Sequence, residues 1–155
     1  MLPENTKIKL IQNKTFCFEE FFDNNRLLLN ISEEDIKWFC KTINVCLRNS
    51  AFIYFYNIVA FPPKGRGEEL LTLDQIIKYY KEPYMLEELK EKYSEASKRF
   101  IQFTSIEGGG SYFYDNQTDK VYDVTWGQEE DMINGVLTPW FDNFYDFLEW
   151  YYSED

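Results

Sequence analysis

The sequence contains no histidine. That absence removes every Ser-His and Cys-His nucleophile, the commonest general base near neutral pH, and all histidine-containing metal sites. Cysteine is scarce: Cys17, Cys40 and Cys46 make an odd number at spacings that match no zinc motif. Cys40 sits in an apolar run and reads as a small buried hydrophobe, and the set fits a reducing cytoplasm. No apolar stretch approaches the ~18 residues that a membrane helix requires. The start, MLPENTKIKL, lacks the charged, apolar, small order of a secretory signal. The expectation is a cytoplasmic protein with no membrane partner and no cofactor.

Positive charge is missing from one region altogether. No Lys or Arg follows Lys120, while the segment Val121 to Asp155 holds nine acids, including Asp123, Glu129, Glu130 and Asp131. Of the net charge of −11, the first 120 residues carry −2 and the last 35 carry −9. Such a block repels nucleic acid, whose binding needs basic surface. It attracts a basic protein and speeds the encounter. The plainer reading is that an acidic surface keeps a small protein in solution.

Apolar side chains are plentiful. They make up 45% of the 155 residues, with 14 Phe and 12 Tyr among them, enough for one domain that buries roughly 70% of its unfolded surface. Lys7 to Ile11 reads as a short strand. The stretch from Asn13 to Asn30 fits neither period. From Ile31 to Asn44 a helix is expected: Ser32 caps it, three acids follow, and Ile36, Phe39, Cys40 and Ile43 form one stripe. The β-branched and aromatic run Ala51 to Phe61 ends at two prolines and reads as a buried strand. Thr72 and Gln75 have capping-box spacing ahead of a stripe of Leu73, Ile76, Ile77 and Tyr80. A second helix is expected from Pro83 to Arg99, with Glu88–Lys92 and Glu95–Arg99 pairs on its solvent side. Arg99 to Ser105 reads as a strand. Asn116 to Asp119 forms a polar connection between two strand-like runs and predicts a hairpin. Asp142 caps a last helix with Phe144, Phe147, Leu148 and Tyr151 inward. This order predicts a single α+β domain with a mainly antiparallel sheet and flanking helices.

Three adjacent glycines, Gly108, Gly109 and Gly110, raise the question of a phosphate cradle. A cradle needs its glycines at a helix N-terminus, and here the strand-like SYFYD follows with no P-loop lysine. Glycine before a strand marks a bend or a close backbone approach, so the three are read as architectural.

These residues together resemble a known family. The glycine run, the aromatic Tyr112-Phe113-Tyr114-Asp115, then Lys120-Val121-Tyr122, Trp126, the acidic Glu129-Glu130-Asp131 and the closing Phe144-Tyr145-Asp146-Phe147-Leu148 look like the SUKH superfamily. The resemblance covers about residues 31–152. It departs from the family pattern at Ile31-Ser32 (Leu-Pro expected), at Val45 (glycine expected) and at Gly127-Gln128 (Asp-His expected). It implies a SUKH-like α+β fold with a non-enzymatic binding role. Many bacterial members look like immunity proteins, which silence a cognate toxin that is often a nuclease, and fungal relatives act as interaction scaffolds.

On that reading the partner is a basic protein toxin. The candidate contacts are Asp123, Glu129, Glu130 and Asp131 around a loop after Trp126, with Tyr114 and Tyr122 as central anchors if they face outward. Gly108, Gly109, Gly110 and Trp126 take structural roles. Tyr114 and Tyr122 equally suit the core, because the strand register is not fixed by the sequence. An adaptor of the same fold is the second reading. A carboxylate-pair enzyme lacks a convergent base, nucleophile or ligand cluster, and an aromatic-lined small-molecule module requires a deep cavity.

Overall fold

The computed structural model describes residues 2–12, 34, 38, 41, 51–58, 62–82, 85–89, 91–94, 96–106 and 109–153. The three cysteines, Gly108 and the stretch from Asn13 to Asn30 lie outside the described residues. Of the helix expected from Ile31 to Asn44, Glu34, Trp38 and Lys41 are described, and they are helical.

Sequence order is α1 (Glu4–Gln12), α2 (Ala51–Ile58), α3 (Leu73–Lys81), a 3₁₀ turn (Glu87–Leu89), α4 (Ala96–Arg99), β1 (Phe100–Gln102), β2 (Gly110–Asp115), β3 (Val121–Thr125), α5 (Glu129–Ile133) and α6 (Phe144–Tyr151). The three strands form an antiparallel sheet in the order β1-β2-β3. The architecture is α+β, as the element order predicts.

Two expected strands are helices. In α1, Leu10 and Thr6 are buried one turn apart while Ile8 is 45% exposed, so the buried positions follow the helical period and not strand alternation. The run at Ala51 is apolar at nearly every position, and such a run does not separate strand from helix by periodicity. Tertiary packing decides it: Phe52, Phe55 and Tyr56, at i, i+3 and i+4, are buried together as one helical stripe. The Phe52 ring stacks on Tyr114 at 4.5 Å and meets Phe103 and Phe144 edge-on.

Other elements follow their sequence signals closely. Gln75 Oε1 accepts from the Thr72 N–H at 2.9 Å ahead of α3, and Leu73, Ile76, Ile77 and Tyr80 are its buried face. Asn143, one residue beyond the expected Asp142, caps α6 by accepting from Asp146 N–H at 2.9 Å. The expected helix from Pro83 to Arg99 is broken into the 3₁₀ turn and the four-residue α4. The expected Glu88–Lys92 and Glu95–Arg99 pairs lie outside the described residues. Lys92 bonds Glu130 at 3.1 Å, and Arg99 bonds Asp115.

Both sheet faces are covered. Ile101, Tyr112, Tyr114 and Val121 pack under α2, α3 and α6 in the larger cluster. Phe100, Phe113, Tyr122 and Val124 face the other way, toward Met85, Leu86 and Met132. Isolated bridges stand beside the sheet: Leu70 pairs with Thr104 beyond β1, and Phe141 pairs with Val121 at the start of β3.

Candidate functional site

The β2-β3 hairpin sets the frame of the site. Asp115 is fully buried and takes a bidentate pair from Arg99, at 2.9 and 2.7 Å. It also accepts from the Gln117 N–H at 2.9 Å and the Thr118 hydroxyl at 2.6 Å. Burial is the largest influence on its carboxyl and pushes the pKa up, but Arg99, Thr118 and Gln117 together outweigh it and hold the group below its ordinary value. Asp119 turns the hairpin with φ +65°, and its carboxylate accepts from the Tyr114 hydroxyl at 2.7 Å.

Tyr114 and Tyr122 are therefore not anchors for a partner. They are 2% and 7% exposed and lie in the two clusters on opposite faces of the sheet. The register explains this: Tyr114 pairs with Val121 and Phe113 with Tyr122, so side chains one residue apart along a strand must point to opposite layers. Asp123 stands opposite Tyr112 and is exposed. Its carboxyl is partly enclosed, and that desolvation raises its pKa.

Beyond Thr125 the chain turns sharply. The Trp126 N–H donates to Gly109 O at 2.9 Å, and the Gln128 N–H donates to Thr125 O at 3.0 Å. Gly109 adopts φ +92°, where an L side chain is strained, and a Cβ on Gly110 would lie 2.5 Å from Val124 O. These two glycines thus serve a bend and a close strand approach, and no helix N-terminus is built on them.

The acidic stretch expected as a loop is the helix α5. The difference matters for its side chains. Glu129 is buried, 8% exposed, and accepts from the Gly127 N–H with both carboxylate oxygens at 3.2 and 3.0 Å. It fixes the turn and is withdrawn from any partner. Glu130 is partly exposed and accepts from Tyr93 at 2.8 Å and Lys92 at 3.1 Å. Those bonds, Tyr93's first, lower its pKa. Asp131 faces solvent, as does the Val136 side chain just beyond.

Trp126, expected as a structural residue, is 49% exposed. Its backbone ties the turn, and its indole lines a groove of about 500 Å³ together with Met85, Glu87, Leu89, Gly127, Glu129 and Glu130. The 3₁₀ turn supplies one wall, and the β3-α5 turn supplies the other. Sequence reasoning missed Met85, Glu87 and Leu89, because a continuous helix there would present them on a different surface. Three carboxylates and no Lys or Arg stand among the described lining residues. The site's chemistry is that of an aromatic, acidic recess.

Catalytic geometry is not evident among the described residues. Among the described residues no three Asp or Glu side chains converge as a metal site, and no described helix is long and apolar enough to cross a membrane. Tyr80 and Tyr151 are pushed up to about 12 by burial, so both stay protonated across the physiological range. A scan against protein-family models finds no match, and a search of curated proteins likewise finds none.

Proposed function

We propose that this chain is a non-enzymatic binding domain whose acidic C-terminal segment, Val121 to Asp155, docks a basic protein, and that it acts as an immunity protein. The partner would be a toxin with a basic, nucleic-acid-holding surface, and binding would cover that surface. The observation that carries the reading is the charge distribution: nine acids and no Lys or Arg from Val121 onward. Its exposed members Asp123 and Asp131, with the partly exposed Glu130, flank a half-exposed tryptophan. Opposite charge would steer the encounter, and an aromatic anchor would supply binding energy once water is excluded. An adaptor with an endogenous basic partner would use the same surface. The groove beside Trp126 also suits a small-molecule module, whose ligand would enter without a protein.

The experiment is co-purification of the full chain from its native cell, with mass spectrometry of what remains bound. A single stoichiometric basic polypeptide, toxic when expressed alone and harmless beside this chain, establishes the immunity role. A non-toxic basic partner establishes the adaptor. No basic partner at low salt overturns both.

A further inference from the structure

We propose that the Trp126 groove is a receptor for an arginine side chain, presented by the basic partner and seated as a planar cation on the indole. This rests on the reading of the acidic surface as a protein-docking face and names the chemistry that the face would select. The groove offers three things that one arginine uses together. Trp126 is half exposed and lines the groove, so its indole presents aromatic surface to an incoming guanidinium, and tryptophan is the best ring for this. Met85 and Leu89 give apolar wall for the methylene stem. Glu87, exposed, and Glu130, partly exposed, give carboxylates at the rim.

A lysine would use less of this arrangement. Its ammonium is a compact, strongly hydrated charge, whereas a guanidinium lying flat on a ring keeps its N–H groups in plane for carboxylates beside it. The molecule already holds one such unit. Arg99 lies over the Phe100 ring at 5.0 Å while its N–H groups form the bidentate pair with Asp115. Glu130 carries Lys92 and the Tyr93 hydroxyl on the same oxygen, Oε1, which leaves Oε2 as the acceptor for an incoming N–H. Glu129 is held by Gly127 and contributes field without contact.

The test is a titration of the full chain with hexa-arginine and, separately, hexa-lysine at low ionic strength, read by the indole N–H resonances in ¹⁵N-correlated NMR. Trp126→Phe identifies the Trp126 resonance by its loss and keeps a ring in place. The expected result is that hexa-arginine moves the Trp126 resonance more than any other indole and binds several-fold tighter than hexa-lysine. Trp126→Ala should weaken the arginine peptide by about fivefold, toward the lysine value, while Trp126→Phe retains part of the preference. Equal binding of the two peptides, or an unmoved Trp126 resonance on hexa-arginine binding, overturns the arginine site. Salt-sensitive binding that persists in that case leaves the acidic docking face standing. Failure of both peptides to bind overturns the docking face with it.

Discussion

At the scale of single residues, Asp115 holds more of this structure than any other charged group described. It is fully buried, and its carboxylate accepts from the hairpin and from Arg99, whose side chain is 34% exposed. Asp115→Ala leaves the guanidinium, the Gln117 N–H and the Thr118 hydroxyl without their acceptor, and the expected loss is about 2–4 kcal/mol in urea unfolding. The pH dependence has a definite sign. Because the folded carboxyl titrates below its unfolded value, it stabilises the protein above about pH 4, and that contribution fades as pH falls through the folded pKa. Melting midpoints measured from pH 6 down to pH 2 should fall more steeply for the native chain than for Asp115→Asn. The glycines are separable in the same way. Gly110→Ala drives a Cβ against the Val124 carbonyl, which is backbone and cannot swing aside, so it should cost about 2 kcal/mol. Gly109→Ala meets no close atom but keeps an unfavourable φ, and about 1 kcal/mol is expected. A larger loss at Gly109 than at Gly110 would contradict this order.

At the scale of elements, what was legible depended on whether a segment carried its own punctuation. The α3 helix has Thr72, Gln75 and a one-sided stripe; the hairpin has Asn116 to Asp119; α6 has its cap and four inward residues. Each announces itself locally. The α2 segment has no polar face to set its period, and its helical form comes from where Phe52, Phe55 and Tyr56 are seated. Phe52→Ala, at 0% exposure and against four other rings, should therefore cost about 3–5 kcal/mol by chemical denaturation. A loss under about 1 kcal/mol would mean that α2 does not sit on the sheet as described. The α5 helix shows the converse limit. The sequence marks Glu129, Glu130 and Asp131 as three equivalent acids, but a helical turn of about 100° per residue sends one to the interior and the others outward.

At the scale of the whole molecule, the acidic C-terminal segment acts as a field before it acts as a set of contacts. Asp123→Lys, Glu130→Lys and Asp131→Lys together should slow association with a basic partner by about tenfold and flatten the dependence of that rate on salt. Glu129 does not belong in this set, since reversing a buried carboxylate that holds the Gly127 turn would test stability instead. Unchanged association kinetics in a stably folded triple variant would remove the acidic face from the encounter. Salt acts on the exposed charges and leaves the Arg99–Asp115 pair nearly untouched, so stability should vary little over the same range.

Charge asymmetry, the α+β class, the hairpin and the inward faces of α3 and α6 were legible along the chain, because composition and local period are properties of neighbouring residues. The sequence also marked the neighbourhood of the site, through Trp126 and the acids that follow. It took the folded chain to place Tyr114 and Tyr122 in the core, to turn Glu129 inward while Trp126 lies half in solvent, and to bring Met85, Glu87 and Leu89 to the groove. Those outcomes depend on strand register and on packing between segments some forty residues apart, and neither is written in the order of residues along any one of them.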